Sequence, residues 1–402
     1  MTNEMNNMGP LSGIKVVDLT AMVSGPSATM YLADQGADVI KIEPLEGELM
    51  RKVGKHYNGM TNSFLCCNRS KRSLTLNLKD EKGIEILKNI IADADVFVQN
   101  FRPGVCTRMG LGEQELRKIS PQIIYVSISG FGEEGPYSNQ RVYDPIIQAL
   151  SGLADIQRDR DTKIPKMVRT IIPDKTTALT AAQAISSALF YRERHGKGQH
   201  IKLAMLDVMI AYLWPEGSAA LSFIGKEGDP TDGQLGLDLV YKTKDNKYIT
   251  AGAVTDKEWI GICKAMDRKD LLIDKRFISA RQRVIHKSER RQAIADEILK
   301  HNARTILKEF HKNEVPAAPI LSRTEILKNE QVNKNKIIEI HTSKIFGKVR
   351  SPRPAAIYSE STTKINRLAP LLGENSYEIL EEIGIKKTEI EQLIKNKITS
   401  IV

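Results

Sequence analysis

The sequence predicts an α/β protein, with a large domain on a parallel sheet followed by a smaller α+β region. Three observations carry this. Short apolar runs alternate with amphipathic segments through the first 130 residues, the signature of strand–helix–strand units. A stretch rich in Gly, Pro and Asp, around 215–237, reads as a linker. Beyond it the pattern changes to a hairpin and a series of Lys/Glu-rich helices.

In order, "GIKVVDL" (13–19) reads as a buried strand and "SATMYLADQG" (27–36) as a helix closed by Gly36. "ADVIKIE" (37–43) and "RSLTLNL" (72–78) are further strands. "DEKGIEILKNIIADA" (80–94) sets Ile84, Ile86, Leu87, Ile90 and Ile91 on one helical stripe. "DVFVQNF" (95–101) and "QIIYVSISGF" (122–131) complete the early strands. A Rossmann-like sheet of this kind binds its ligand outside the carboxyl ends of the strands. The segment 175–194 reads as a helix of small residues stopped by "HGKGQ", with Gly196 or Gly198 as the left-handed cap. "HIKLAM" (200–205) alternates as a strand and "DVMIAYLW" (207–214) returns to helix. Further on, "LVYKTKDNKYITAGAV" (239–254) is a hairpin turning at "KDNK". The tail holds two amphipathic helices split near Gly384.

Composition and motifs exclude several classes. No apolar run approaches the roughly 20 residues that span a bilayer, and the first residues lack the pattern of a secretory signal. A cytoplasmic protein is expected. Four cysteines without a CxxC, and seven scattered histidines, predict no metal centre. The turn after the first strand, "AMVSGPSATM", has no GxGxxG, which argues against a nicotinamide or flavin enzyme, and no P-loop is present. The formal charge of +10 is spread among glutamates, with no recognition-helix or basic-aromatic motif, so nucleic acid is not the expected partner.

One acid stands out. In "RTIIPDKTTALTAAQ", Asp174 follows a proline at the start of the predicted helix. Locally it reads as a helix cap. A carboxylate held there beside unpaired N–H groups is also a competent covalent nucleophile.

Several phrases together resemble the class III CoA-transferase family. They are "PLSGIKVVDLTAMVSGP" (10–26), "ADVIKIEP" (37–44), "NRSKRSLTLNLKDEKG" (68–83), "ADVFVQNFRPGVCTRMGL" (94–111) and "ISGFGEEGPYSNQRVYDPIIQALSGL" (128–153). "ALFYRERHGKGQHIKLAMLDVM" (188–209), "VPAAPILSRTEIL" (315–327) and "APLLGENSYEILEEIG" (369–384) continue the match in order.

The resemblance implies that Asp174 attacks an acyl-CoA thioester to form an aspartyl anhydride. A carboxylic acid acceptor then takes over the CoA. Acyl-CoA enters as substrate, and no covalently bound cofactor and no metal are expected. It further implies that Asn100, Phe101, Arg102, Arg108, Arg141 and Tyr143 bind CoA, as do Lys71 and Arg72 with their neighbour Arg69. Arg169, just ahead of Asp174, is the candidate partner for a substrate carboxylate. The implied architecture is an interlocked homodimer. Its large domain comprises residues 1–215 with a C-terminal return at 341–402, and its small domain with the linker comprises 216–340.

The alternative within the family is a racemase or epimerase, which moves a proton next to the thioester. Its His is replaced here by Tyr143, and its partner acid by Thr255, so transfer is the expected chemistry. A glycine run ending in Gln that marks formyl-CoA transferase is also absent, which leaves the acids unspecified.

Overall fold

A computed structural model describes residues 8–159, 162–226 and 239–401. The chain divides into two compact units, residues 1–233 with 337–402, and residues 234–336. The expected linker lies partly outside the described residues, at 227–238.

In the larger unit the apolar runs form six parallel strands. They are β1 (Lys15–Leu19), β2 (Asp38–Glu43), β3 (Arg72–Thr75), β4 (Val96–Gln99), β5 (Ile124–Ser129) and β6 (His200–Ala204). Their order is β3-β2-β1-β4-β5-β6, with Val16 opposite both Val39 and Val96. The chain thus starts in the middle, winds outward to β3, then returns to β4 on the other side of β1. The point where winding reverses, between the carboxyl ends of β1 and β4, opens a crevice.

Alternation sends side chains to both faces, and each face is covered. Val16, Val39, Val96, Val98 and Val126 pack under α1 (Ser24–Asp34) and the long helix α5 (Ile172–His195). Leu19, Leu74, Phe97 and Tyr125 pack under α2 (Glu81–Ala92), α3 (Glu113–Ile119) and the C-terminal helices α10 (Ser376–Glu382) and α11 (Lys387–Lys395). In α2 the stripe Ile86, Leu87, Ile90 and Ile91 is buried. Each such side chain contributes roughly 1.5–3 kcal/mol. Asp80 caps this helix by accepting from the Lys82 N–H at 2.9 Å.

The face of α5 toward α1 is Ala178, Ala181, Ala182, Ile185, Ala188 and Leu189. Small residues at this spacing let the two helices approach closely. Gly196, at φ +65°, ends α5 with its N–H on the Arg192 carbonyl at 2.7 Å. Gly198 has a separate reason to be glycine, since a Cβ there would lie 2.3 Å from the Ile123 carbonyl oxygen.

The smaller unit folds as expected into a hairpin, β7 (Tyr241–Lys242) with β8 (Tyr248–Ala251). A third strand, β9 (Ala317–Pro319), adds antiparallel to β8. Its core gathers Trp259, Ile262, Phe277, Ile298 and Phe310 from the surrounding helices. No described helix is long and apolar enough to cross a membrane. Among the described residues no cluster of His, Cys, Asp and Glu could hold a metal.

Candidate active site

The helix α5 begins at Ile172, with Ile171 as its N-cap and no side chain capping it. Asp174 is therefore inside the first turn rather than the cap. Its carboxylate is left over for other partners, and those partners come from elsewhere in the chain.

One is Ser24, the opening residue of α1, whose backbone N–H has no acceptor within its own helix. That N–H and the Ser24 hydroxyl both act on the Asp174 carboxylate, favouring its charged form. The Asp174 backbone N–H, by contrast, donates to Oδ2 of Asp144 at 3.2 Å, a residue at the start of α4 (Asp144–Leu150) and 3% exposed. Asp144 is held by Gln148 Nε2 at 2.6 Å on its other oxygen. Gln148 is in turn fixed by the Val168 N–H at 2.9 Å on its Oε1. Burial, and then repulsion from the Asp144 carboxylate, push the Asp174 carboxyl up to about 6, against the opposing pull of the Ser24 donors.

The loop between β1 and α1, residues 20–23, is tied down from several directions. Asn100, directly after β4, closes on Ala21 with both ends of its amide: Oδ1 accepts the Ala21 N–H at 2.9 Å and Nδ2 donates to the Ala21 carbonyl at 2.8 Å. That pair spans the reversal point between β1 and β4. Asn100, expected to contact CoA directly, thus has its amide engaged in joining the two loops that flank the crevice.

Three expected cofactor residues have structural partners instead. Lys71 is fully buried, and its three donors go to Asp18 Oδ2 at 2.8 Å, the Pro26 carbonyl at 2.7 Å and Asn68 Oδ1 at 2.8 Å. Burial pushes the Asp18 carboxyl upward, but Lys71 and Lys41 outweigh it and hold it below the usual carboxylate range. Arg72 binds Asp38 at 2.6 Å and the α10 residues Glu378 and Glu382 at 3.0 and 2.7 Å, anchoring the C-terminal return to the sheet. Arg69 pairs with Asp34 at 2.7 Å and donates to Ser351 Oγ and the Pro352 carbonyl. Each cation has its donors met by groups of the fold, and for Lys71 and Arg69 turning to a phosphate would leave a buried acid, Asp18 or Asp34, unpaired.

The remaining candidates are accessible. Phe101 is 36% exposed and, with Arg102, borders a cleft of about 310 Å³ at the ends of β4, β5 and β6. Its floor is polar: Ser127 Oγ bridges Gln99 Nε2 at 3.0 Å and His200 Nε2 at 2.8 Å. Burial, helped by Lys202, holds His200 below its ordinary value. Asp174 does not line this cleft. Arg108, Arg141, Tyr143 and Arg169 are all exposed, Arg141 and Tyr143 in the segment leading into α4 and Arg169 just before α5. Of the groups around Asp174, Ser24 and Asp144 were not read from the sequence. The available signal was "SGPS", a small-residue helix start directly after the first strand, where such sheets bind ligands.

The profile of CoA-transferase family III matches residues 11–376. Human succinyl-CoA:glutarate CoA-transferase is 34% identical over 389 residues, covering 95% of this chain and 87% of that protein. Succinate–glutarate CoA-transferase of Agrobacterium fabrum is 33% identical over 399 residues, covering 95% and 98%. A crystal structure of a CAIB/BAIF family protein from Brucella suis superimposes with a TM-score of 0.81 at 30% identity, over 94% of this chain and 100% of that one. The parallel sheet and the match across nearly the whole chain define a CoA-transferase. The protein belongs to CoA-transferase family III.

Proposed function

We propose that the enzyme moves CoA from an acyl-CoA donor to a carboxylic acid through covalent intermediates on Asp174. The observation that carries this is the placement of Asp174: half-buried beside the reversal point, free of its own helix cap, and bonded to Ser24 and Asp144.

In the first step the Asp174 carboxylate attacks the thioester carbonyl carbon. The C–S bond breaks and CoA leaves as thiolate, giving an acyl-aspartyl anhydride. The thiolate then attacks the Asp174 carbonyl, releasing the donor's acid and leaving an aspartyl-CoA thioester. The acceptor carboxylate attacks that thioester and expels CoA again. A final attack of thiolate on the acceptor's carbonyl yields the new acyl-CoA and restores Asp174. Every step exchanges one acyl bond for another, so no redox partner or net proton is needed.

The residues fit these demands. A carboxyl with an ordinary value near 4 is a weak nucleophile, and partial burial raises its reactivity while leaving it mostly ionised at pH 7. The Ser24 N–H and hydroxyl hold the carboxylate at the N-terminus of α1, where helix donors favour negative charge. Arg102 and Arg108, exposed after β4, would take the phosphates of CoA, and Phe101 the face of its adenine. Arg141 and Tyr143 would close the opposite side.

For the acceptor, Arg169 would pair with a second carboxylate, which favours dicarboxylic acids. The succinate and glutarate named for two relatives support that choice. Racemisation is not favoured, because those relatives are named as transferases. The large unit also leaves Leu179, Phe190, Tyr212, Phe223 and Ile224 57–94% exposed, apolar surface that a second, interlocked copy would cover. Exchange of label between succinyl-CoA and glutarate, with and without Arg169→Ala, tests the substrate assignment. Unchanged acid preference in the variant would remove Arg169 from it.

A further inference from the structure

The loop that delivers Ser24 to Asp174 contains a conformation that L-residues rarely adopt. Met22 has φ +70°, the left-handed region, which costs a non-glycine residue about 1–2 kcal/mol. Something must hold it there. The Met22 N–H donates to Glu48 Oε2 at 2.7 Å. On one side Asn100 fixes Ala21, and on the other Lys41 Nζ donates to the Thr20 carbonyl at 3.0 Å. Of these ties, only that of Glu48 acts on the left-handed residue itself.

Glu48 is an unusual residue in this position. Its side chain is 3% exposed, and Lys41 Nζ lies 2.9 Å from its Oε1, an ion contact off the hydrogen-bonding angle. Glu48 is the nearest anion to the buried Lys41, since Asp18 and Glu43 pair with Lys71 and Arg51, and its other oxygen is left to hold the Met22 amide. An apolar residue here would leave Lys41 buried without its nearest anion and the Met22 N–H without its acceptor.

We infer that Glu48 is a positioning residue for acyl transfer: by holding the Met22 amide, it keeps the left-handed turn that aims the Ser24 N–H and hydroxyl at Asp174. The inference rests on Asp174 as the nucleophile. Glu48 touches neither substrate nor reacting atoms and acts through the backbone of residues 22–24.

The sign of a pH shift separates this role from a bulk charge effect. Removing the Glu48 charge alone would ease ionisation of Asp174 and move the acid limb of the rate profile downward. Loss of the Ser24 donors would move it upward, because those donors stabilise the carboxylate. Asp144 from α4 is the charged neighbour of Asp174, while Lys41, Glu43, Asp18, Lys71 and Arg51 surround Glu48. The Glu48 variants also remove the anion beside Lys41, so thermal denaturation of each accompanies its kinetics.

The experiment is steady-state kinetics across pH for the full-length enzyme with Glu48→Ala, Glu48→Gln, Ser24→Ala and Glu48→Ala combined with Met22→Gly. Glu48→Ala is expected to lower kcat about tenfold, with KM for the acyl-CoA donor within about twofold, and to move the acid limb to higher pH. Glu48→Gln keeps an acceptor for the Met22 N–H and should recover most of kcat. Adding Met22→Gly, which adopts the left-handed turn without strain, should restore part of it. Ser24→Ala should move the limb in the same direction as Glu48→Ala. The inference is overturned if Glu48→Ala keeps wild-type kcat and pH limb, if the limb moves down, or if Gln is as impaired as Ala. If Glu48→Ala does not fold, the Met22→Gly combination decides: folded, active protein supports the role, and unfolded or inactive protein contradicts it. Full activity in Asp174→Ala would remove the nucleophile itself, a result distinct from any of these.

Discussion

The backbone N–H of Asp174 donates to Oδ2 of Asp144 at 3.2 Å, which sets two carboxyl groups side by side at the opening turns of α5 and α4. Asp144 is a buried acid bonded to Gln148, and Asp174 is the more accessible of the two. Proximity of like charge makes the second carboxylate harder to ionise. The transfer rate should therefore fall as pH drops through about 6, as Asp174 takes up a proton. Asp144→Asn removes the repulsion and should move that limb to lower pH. A profile of kcat/KM from pH 4.5 to 8 checks both. A limb that stays in place in the variant would show that Asp144 does not tune Asp174.

The same pairing has a consequence for stability. The Asp174 carboxyl is raised in the folded protein to about 6 from an ordinary 3.8, so the folded state holds its proton more tightly than the unfolded chain. That contribution is fully present below pH 4 and is lost as pH rises through 6. At pH 7.5 the ionised group burdens the fold by about 1–3 kcal/mol. Asp174→Asn should thus melt higher than wild type at pH 7.5 and at nearly the same temperature at pH 4, while losing transfer. Equal melting temperatures at both pH values would contradict the raised value.

Lys71 and Arg102 should separate cleanly into fold and ligand. Lys71→Met leaves Asp18 buried without its cation, a loss of about 3–5 kcal/mol. It should appear as a lowered denaturation midpoint, with KM for the donor little changed in protein that still folds. Arg102→Ala removes an exposed cation at the cleft. There KM for acyl-CoA should rise about tenfold, near 1.5 kcal/mol, with the melting temperature unmoved. Thermal denaturation and donor titration on both variants check the pair, and the reverse pattern would return Lys71 to the cofactor site.

The parallel sheet was legible because its strands carry short β-branched or alternating apolar stretches between amphipathic segments, and α5 because its small residues and closing glycines leave few alternatives. Asp174 was legible as an acid at a helix start. The reading of it as a helix cap does not hold, because the helix begins two residues earlier through Ile172 and Pro173. Ser24 and Asp144 lie 150 and 30 residues away from Asp174 in sequence, and only the winding of the chain around β1 and β4 brings them to it. Lys71 and Arg72 looked like a surface run awaiting an anion. Their partners, Asp18, Asp38, Glu378 and Glu382, are scattered over most of the chain, so their burial could not be read locally. Strand β9 escaped notice because "AAP" is three residues long and ends in proline.

The central claim is that Asp174 carries the acyl group. Intact-protein mass spectrometry after brief incubation with succinyl-CoA tests it most directly, on wild type and Asp174→Ala, each with and without hydroxylamine. The account predicts a CoA or acyl adduct on wild type alone, removed by hydroxylamine, and transfer slowed about a thousandfold or more in the variant. Transfer at the wild-type rate by Asp174→Ala, or an adduct that persists in it, would contradict the account.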